Sequence, residues 1–248
     1  MKKGAILGVS FVAVLAIAGA LLFSTHFRLA VLTPVELRPK QAKVPAPSAD
    51  ECSDVHRRFA QFAQSVGSIH KGPQKSAAPL SADEIAIYRA VLQGWVEGDR
   101  GVLNVSLATF PIDALSPSSN ISNCQCVKDL AVESLYAASH SFHDLTRDAL
   151  PGRNMTVVDA NEQAVSVRNN DPGKTIGEGM PAKKAVANGF ANGLFSLSEI
   201  AFDSDHHHAL VSYSFQCGAL CGSGSPLMFE KIGGEWKRTD RICGGWIS

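Results

Sequence analysis

The sequence predicts an α+β protein in which helices pack on one face of an antiparallel sheet. Three observations carry that prediction. Apolar residues recur at helical spacing in the first half of the chain, and apolar and polar residues alternate between turn clusters in the C-terminal quarter. The composition is that of an ordinary globular protein, 45% hydrophobic with 23 basic and 23 acidic residues. Balanced charge without a basic stripe argues against nucleic acid as a partner.

The N-terminus speaks to compartment. Lys2 and Lys3 precede a run over residues 4–23 whose only polar side chain is Ser10. About 20 apolar residues suffice to cross a bilayer core, so residues 1–24 read as a signal peptide or transmembrane anchor in contact with a membrane through residues 4–23. Ala16-Ile17-Ala18 fits a small-x-small cleavage site, whereas Leu21, Leu22 and Phe23 prolong the run and tip the balance towards an anchor. Basic residues hard against its N-terminal side place the N-terminus inside and the bulk of the chain outside. The expected location is the cell envelope with the domain extracytoplasmic, or secretion if the chain is cut near Ala18. Residues 25–48, with Pro34, Pro39, Pro45 and Pro47, read as an extended tether. At about 3.1 Å per residue, its proline-containing part would reach on the order of 50 Å.

Residues 49–248 are expected to form one α+β domain: a first helix over 49–66, a linker over 67–80, and a main body over 81–248. Val55, Phe59, Phe62 and Val66 supply the stripe of the first helix. Ser81-Ala82-Asp83-Glu84 has the spacing of a capping box, opening a helix whose buried face is Ile85, Tyr88, Leu92 and Trp95 and whose stop is Gly98. Leu135, Ala138, Phe142, Leu145 and Ala149 predict a third, long helix over 127–150, ended by Pro151-Gly152. A shorter helix follows Pro181, carried by Val186, Phe190 and Leu194, although Gly189 and Gly193 each disfavour it by about 1 kcal/mol. Strands are expected over 101–110 and over 155–168, the second broken near Asn161. A four-strand meander then uses 198–202, the alternating Ala209, Val211, Tyr213 and Phe215, 227–231 and 236–242. Its turns fall at Asp203-Ser204-Asp205, around Gly222-Ser223-Gly224, and at Gly233-Gly234.

The last fifty residues carry a distinctive pattern: Leu197-Ser198-Glu199-Ile200-Ala201-Phe202-Asp203, then Cys217-Gly218-Ala219-Leu220-Cys221-Gly222-Ser223-Gly224, then Lys231, Gly234, Trp236 and Trp246-Ile247-Ser248. It resembles a C-terminal module of uncharacterised exported bacterial proteins. The resemblance implies a bacterial envelope or secreted setting and no particular activity.

Six cysteines, Cys52, Cys124, Cys126, Cys217, Cys221 and Cys243, are an even set, which in an exported chain reads first as disulfides. Cys217 and Cys221 bracket one short loop and are the expected pair; closing so small a loop contributes about 2 kcal/mol. Cys52 is an expected partner for one of Cys124, Cys126 or Cys243. A nucleophilic Cys217 is disfavoured, because no histidine or asparagine lies far downstream and the segment reads as a hairpin.

Metal binding is the sharper alternative. Cys124, Cys126, His140 and His143 could form a zinc set if both histidines shared a helix face. That face also holds Glu133, Tyr136, Asp144 and Arg147, as a solvated surface does, and cysteines two apart are closer than structural zinc sites use. The expectation is therefore no metal and no cofactor. His206-His207-His208, flanked by Asp203 and Asp205, reads as an exposed hairpin tip, because neighbouring strand residues point to opposite faces. There is no Gly-x-Ser-x-Gly elbow, His-Glu-x-x-His, Walker or dinucleotide-binding pattern. The sequence thus points to a binding or structural module of the envelope without a catalytic site. The competing expectation is a small-molecule-binding or hydrolytic domain with a pocket between the long helix and a curved sheet, lined by Glu199, Tyr213 or Arg238.

Overall fold

A mixed, mostly antiparallel sheet organises the molecule, seen in a computed structural model that describes residues 49–66, 72–96, 102–113, 126–152, 154–241 and 243–248. All of these fall in one compact unit, Pro45–Ser248. The apolar run 4–23 and the whole tether 25–48 lie outside the described residues, as does Gly98. Among the described residues no helix is long and apolar enough to cross a membrane.

Helix α1 (Ala49–Ser65) is followed by the two-residue strand β1 (Gln74–Lys75) inside the expected linker, then by α2 (Ala82–Val96). The capping box opens α2 as its spacing requires: Ser81 N–H donates to Glu84 Oε2 at 2.6 Å, and Glu84 N–H donates to Ser81 Oγ at 3.2 Å. Next come β2 (Leu103–Ser106), α3 (Val132–His140), β3 (Ser141–Phe142) and β4 (Met155–Val158). Helices α4 (Ala160–Asn169), α5 (Pro172–Gly177) and α6 (Ala182–Ala191) then precede the C-terminal strands. These are β5 (Leu194–Leu197), β6 (Ala201–Phe202), β7 (His208–Gly218), β8 (Cys221–Ile232), β9 (Glu235–Arg238) and β10 (Trp246–Ile247).

The main sheet runs β10-β8-β7-β5-β2-β4, with β6 alongside β7 and β9 alongside β8. The β5–β10 part is antiparallel, while β2 pairs in parallel with both β4 and β5. Its two faces are both covered. On one, α2 packs Ile87, Tyr88, Val91 and Leu92 against Phe195, Val211, Phe215 and Phe229. On the other, Val55 of α1 and Leu135 and Ala138 of α3 meet Ala201, Leu210 and Met228. Burial on both faces, rather than the one expected, follows from β7 and β8, whose successive residues are apolar on alternate sides.

Several elements differ from expectation. The third helix stops at His140 instead of running over 127–150, because Ser141 and Phe142 pair with Gln74 and Lys75 and Asp144 bridges to Ala108. Leu145 and Ala149 are still buried, but from extended and 3₁₀ backbone. The expected strand over 155–168 keeps only its first four residues. Asp159 then caps α4, its carboxylate accepting from the amides of Asn161 and Glu162 at 2.8 and 3.0 Å. Of the strand expected over 198–202 only Ala201–Phe202 forms, as β6 against β7; β5 is an additional strand before it, and β9 stops at Arg238. The β7–β8 turn is Ala219-Leu220; Gly222 and Gly224 lie inside β8, where Trp246 of β10 covers them. A Cβ on Gly224 would collide with the Trp246 indole nitrogen, and one on Gly222 would come within 2.8 Å of the Phe215 carbonyl.

Among the described residues two disulfides are present. Cys217–Cys221 closes the β7–β8 hairpin as expected, and Cys126–Cys243 joins residues 117 apart in sequence. The second bond removes Cys126 and Cys243 from the three alternatives for Cys52. The Cys52 side chain and Cys124 lie outside the described residues.

Candidate functional site

Among the described residues, a cluster of titratable side chains forms where the segments 107–110, 143–145 and 198–199 meet the first turn of α2. Glu199 follows β5 and is only 3% exposed. Its amide donates to the Phe110 carbonyl at 2.8 Å, which fixes the side chain towards residues 107–110. That segment pairs with residues 143–145: Thr109 N–H donates to His143 O at 2.9 Å, and Leu145 N–H to Leu107 O at 2.6 Å. The register brings His143 onto Glu199. His143 Nδ1 lies 2.8 Å from Glu199 Oε2, and the His143 amide donates to Oε1 at 2.9 Å. The Thr109 hydroxyl donates to Oε1 as well. A buried carboxylate is tolerated only with such partners.

Glu84 completes the cluster. One ligand-type atom from each of Glu84, His143 and Glu199 lies within 4.8 Å of the other two. Tyr88, one turn along α2, is buried below them and donates its hydroxyl to the Ser198 carbonyl at 3.0 Å. Burial first, and then the Glu199 and Glu84 charges, push that hydroxyl well above its ordinary pKa. Tyr88 is therefore a fixed, neutral donor and not an acid.

A second concavity lies at the other end of the sheet. A cleft of about 410 Å³ is bounded by α4, the start of α5 and the β7–β8 hairpin, with Val167 and Leu194 among its apolar walls and Arg168 and Lys174 beside them. Asp171 holds one side in place. It caps α5 through Lys174 N–H and accepts from the Ala219 amide at the hairpin tip. The Ala219 amide first, and the Lys174 amide next, hold its carboxyl below the ordinary carboxylate range.

The residues singled out from sequence fall in different surroundings. Cys126 is bonded to Cys243, so its sulfur is not a thiolate available to the Cys124/Cys126/His140/His143 set. His140 stacks on Tyr136 with its Nδ1 2.8 Å from the Tyr136 carbonyl, while His143 lies beyond the helix end and faces Glu199. Cys217 is likewise in a disulfide. His206 and His207 occupy the exposed β6–β7 turn as expected, whereas His208 opens β7 and is half-buried. His206 stacks on Phe202, His207 is exposed, and His208 Nδ1 lies 2.7 Å from Asp203. Of the three inward polar groups expected around a pocket, Tyr213 stacks on Phe195, Arg238 is exposed on β9, and Glu199 alone enters the cluster; none of them lines the 410 Å³ cleft. Sequence reasoning missed Glu84 as a site residue, because the capping box already accounted for it, and missed the partnership of His143, because a helix was drawn through it. Arg168, Lys174 and Asp171 carried no sequence signal beyond Asp171 standing before Pro172, a helix-start pattern.

Comparison with known proteins finds no family model that matches this chain, no curated relative and no similar solved structure.

Proposed function

We propose that this chain is an extracytoplasmic binding module of a bacterial envelope, carried at the membrane by residues 4–23 and stabilised by disulfides. The observation that carries the reading is the pair of bonds Cys126–Cys243 and Cys217–Cys221, since disulfides persist in oxidising compartments and the N-terminal run reads as an export element. The C-terminal pattern supports the bacterial setting by resemblance. The cleft beside the hairpin tip is the place for a ligand. Apolar walls with Arg168 and Lys174 beside them suit a small amphipathic anion, its head meeting the cations and its tail lying on Val167 and Leu194.

Non-reducing peptide mass spectrometry of the chain from its native host tests the compartment, reading the N-terminus and every cysteine together. Bonded Cys126 and Cys243 with an intact N-terminus are expected; free thiols there would overturn the reading. For the ligand, thermal shift with medium-chain carboxylates should show stabilisation that Arg168→Ala with Lys174→Ala abolishes. A hydrolytic reading has one specific support, the Glu199–His143 pair, which orients an imidazole as a general base requires. Turnover of simple ester substrates, lost in His143→Gln, would favour it.

A further inference from the structure

We propose that Glu84, His143 and Glu199 form a binding site for one divalent transition-metal ion, of the zinc, manganese or cobalt class. This site is independent of the compartment and of the cleft.

The first support is charge. Two carboxylates converge on one imidazole, and Glu199 is 3% exposed. Among the described residues no lysine or arginine pairs with either carboxylate; His143 is the only basic partner of Glu199. Two other half-buried carboxylates each hold a fixed cation: Asp83 has the Lys231 ammonium on both oxygens at 2.9 Å, and Asp54 has the Arg57 and Arg58 guanidinium groups. The Glu84/Glu199 pair is thus short of positive charge where desolvation makes that shortage costly.

The second support is spacing. Donor atoms held about 2.0–2.1 Å from one ion stand about 3 Å apart at adjacent coordination positions. His143 Nδ1 and Glu199 Oε2 are 2.8 Å apart, so a cation can replace their hydrogen bond with two coordinate bonds and little movement. Glu84 is within 4.8 Å of both and is half-buried. It keeps one oxygen on Ser81 N–H, and among the described residues nothing donates to the other.

The third support is preorganisation. The three side chains come from the capped start of α2, the paired segment 143–145 and the segment after β5, each fixed by backbone hydrogen bonds independent of a metal. One nitrogen and two carboxylate oxygens suit ions of intermediate hardness. They are too few oxygens for calcium and include no thiolate for copper(I). Three protein donors also leave a position open for water or a ligand.

The test uses the full-length chain without an affinity tag, titrated with Co²⁺ and, separately, Zn²⁺ and Mn²⁺ by calorimetry, with the visible spectrum of Co²⁺ as a second readout. One ion per chain is expected. Glu84→Gln retains the capping bond, since glutamine also serves at that position, so it should fold normally and bind the ion about tenfold more weakly or worse. His143→Gln should abolish the Co²⁺ spectrum. Because His206 and His207 are exposed and could collect metal, the His206→Asn/His207→Asn variant is titrated in parallel and should bind as the parent does. Absence of binding at millimolar metal would overturn the proposal. So would binding that persists unchanged in Glu84→Gln, or that disappears with the His206/His207 change.

Discussion

The two faces of the sheet are stabilised by different means. On the α2 face the core is a continuous mass of large side chains, in which Trp95 contacts Phe195, Tyr213 and Phe215 at ring distances of 5.0–5.3 Å and Phe195 stacks on Tyr213. On the α1/α3 face the buried set is smaller, with Val55, Ala138, Ala201, Leu210 and Met228, and the Cys126–Cys243 bond lies within it. The contrast teaches that where a layer lacks apolar volume, a covalent link that restricts the unfolded chain can supply what packing does not.

Removing that link is the strongest way to break the comparison. Cys126→Ser with Cys243→Ser should lower stability by about 4–5 kcal/mol on the chain-entropy argument, measured by urea unfolding, whereas the equivalent change at Cys217 and Cys221 should cost about 2 kcal/mol. Equal losses would mean that the long bond is not what holds the second face. On the α2 face, Phe195→Ala should cost about 3–5 kcal/mol, because the ring is fully buried against Trp95 and Tyr213. Its effect should persist in the Cys126/Cys243 double variant, since the two clusters are separate. A smaller effect sharpens the role of α2: Asp83→Ala removes the partner of both the Lys231 ammonium and the Trp236 indole and should cost about 2 kcal/mol.

The smallest change is the most specific. Asp171 titrates below its ordinary 3.8 in the folded chain, so between the two values the unfolded state binds more protons. Its contribution is complete above that ordinary value and is lost as pH falls through the lower, folded one. Asp171→Asn should therefore cost about 1 kcal/mol at neutral pH and flatten the acid limb of a stability-versus-pH curve, leaving the α1/α3 face untouched.

Much of this was legible where a signal was local. The capping box at Ser81 and Glu84, the α1 stripe through Val55 and Phe59 (Val66, past the helix end, is exposed) and the close pair Cys217–Cys221 each depend on residues a few positions apart. What failed was non-local. Leu135, Ala138, Phe142 and Leu145 keep helical spacing, but the backbone leaves the helix at Ser141 because Gln74 and Lys75 supply a strand partner that no periodicity could announce. In the 155–168 segment the valines masked the helix start at Asp159, whose aspartate followed by Glu162 is itself a capping pattern. The Glu84, His143 and Glu199 cluster is assembled by pairing between distant segments. Of its members, sequence marks Glu199 as an inward group and His143 as a metal-ligand alternative on a solvated helix face, while Glu84 reads only as a cap.

The mixed sheet also sets an order of events. Strands β7 and β8 are joined by a two-residue turn and need close no long loop, whereas β2 must wait for two partners that both lie far downstream in the chain, β4 and β5. Chain-closure entropy then makes the hairpin the early structure and the parallel pairing the slow step. Pulsed hydrogen exchange during refolding should find the amides of β7 and β8 protected first and those of β2 last. The Glu84–His143–Glu199 cluster depends on the late contacts, so it would come into being only at the end of folding.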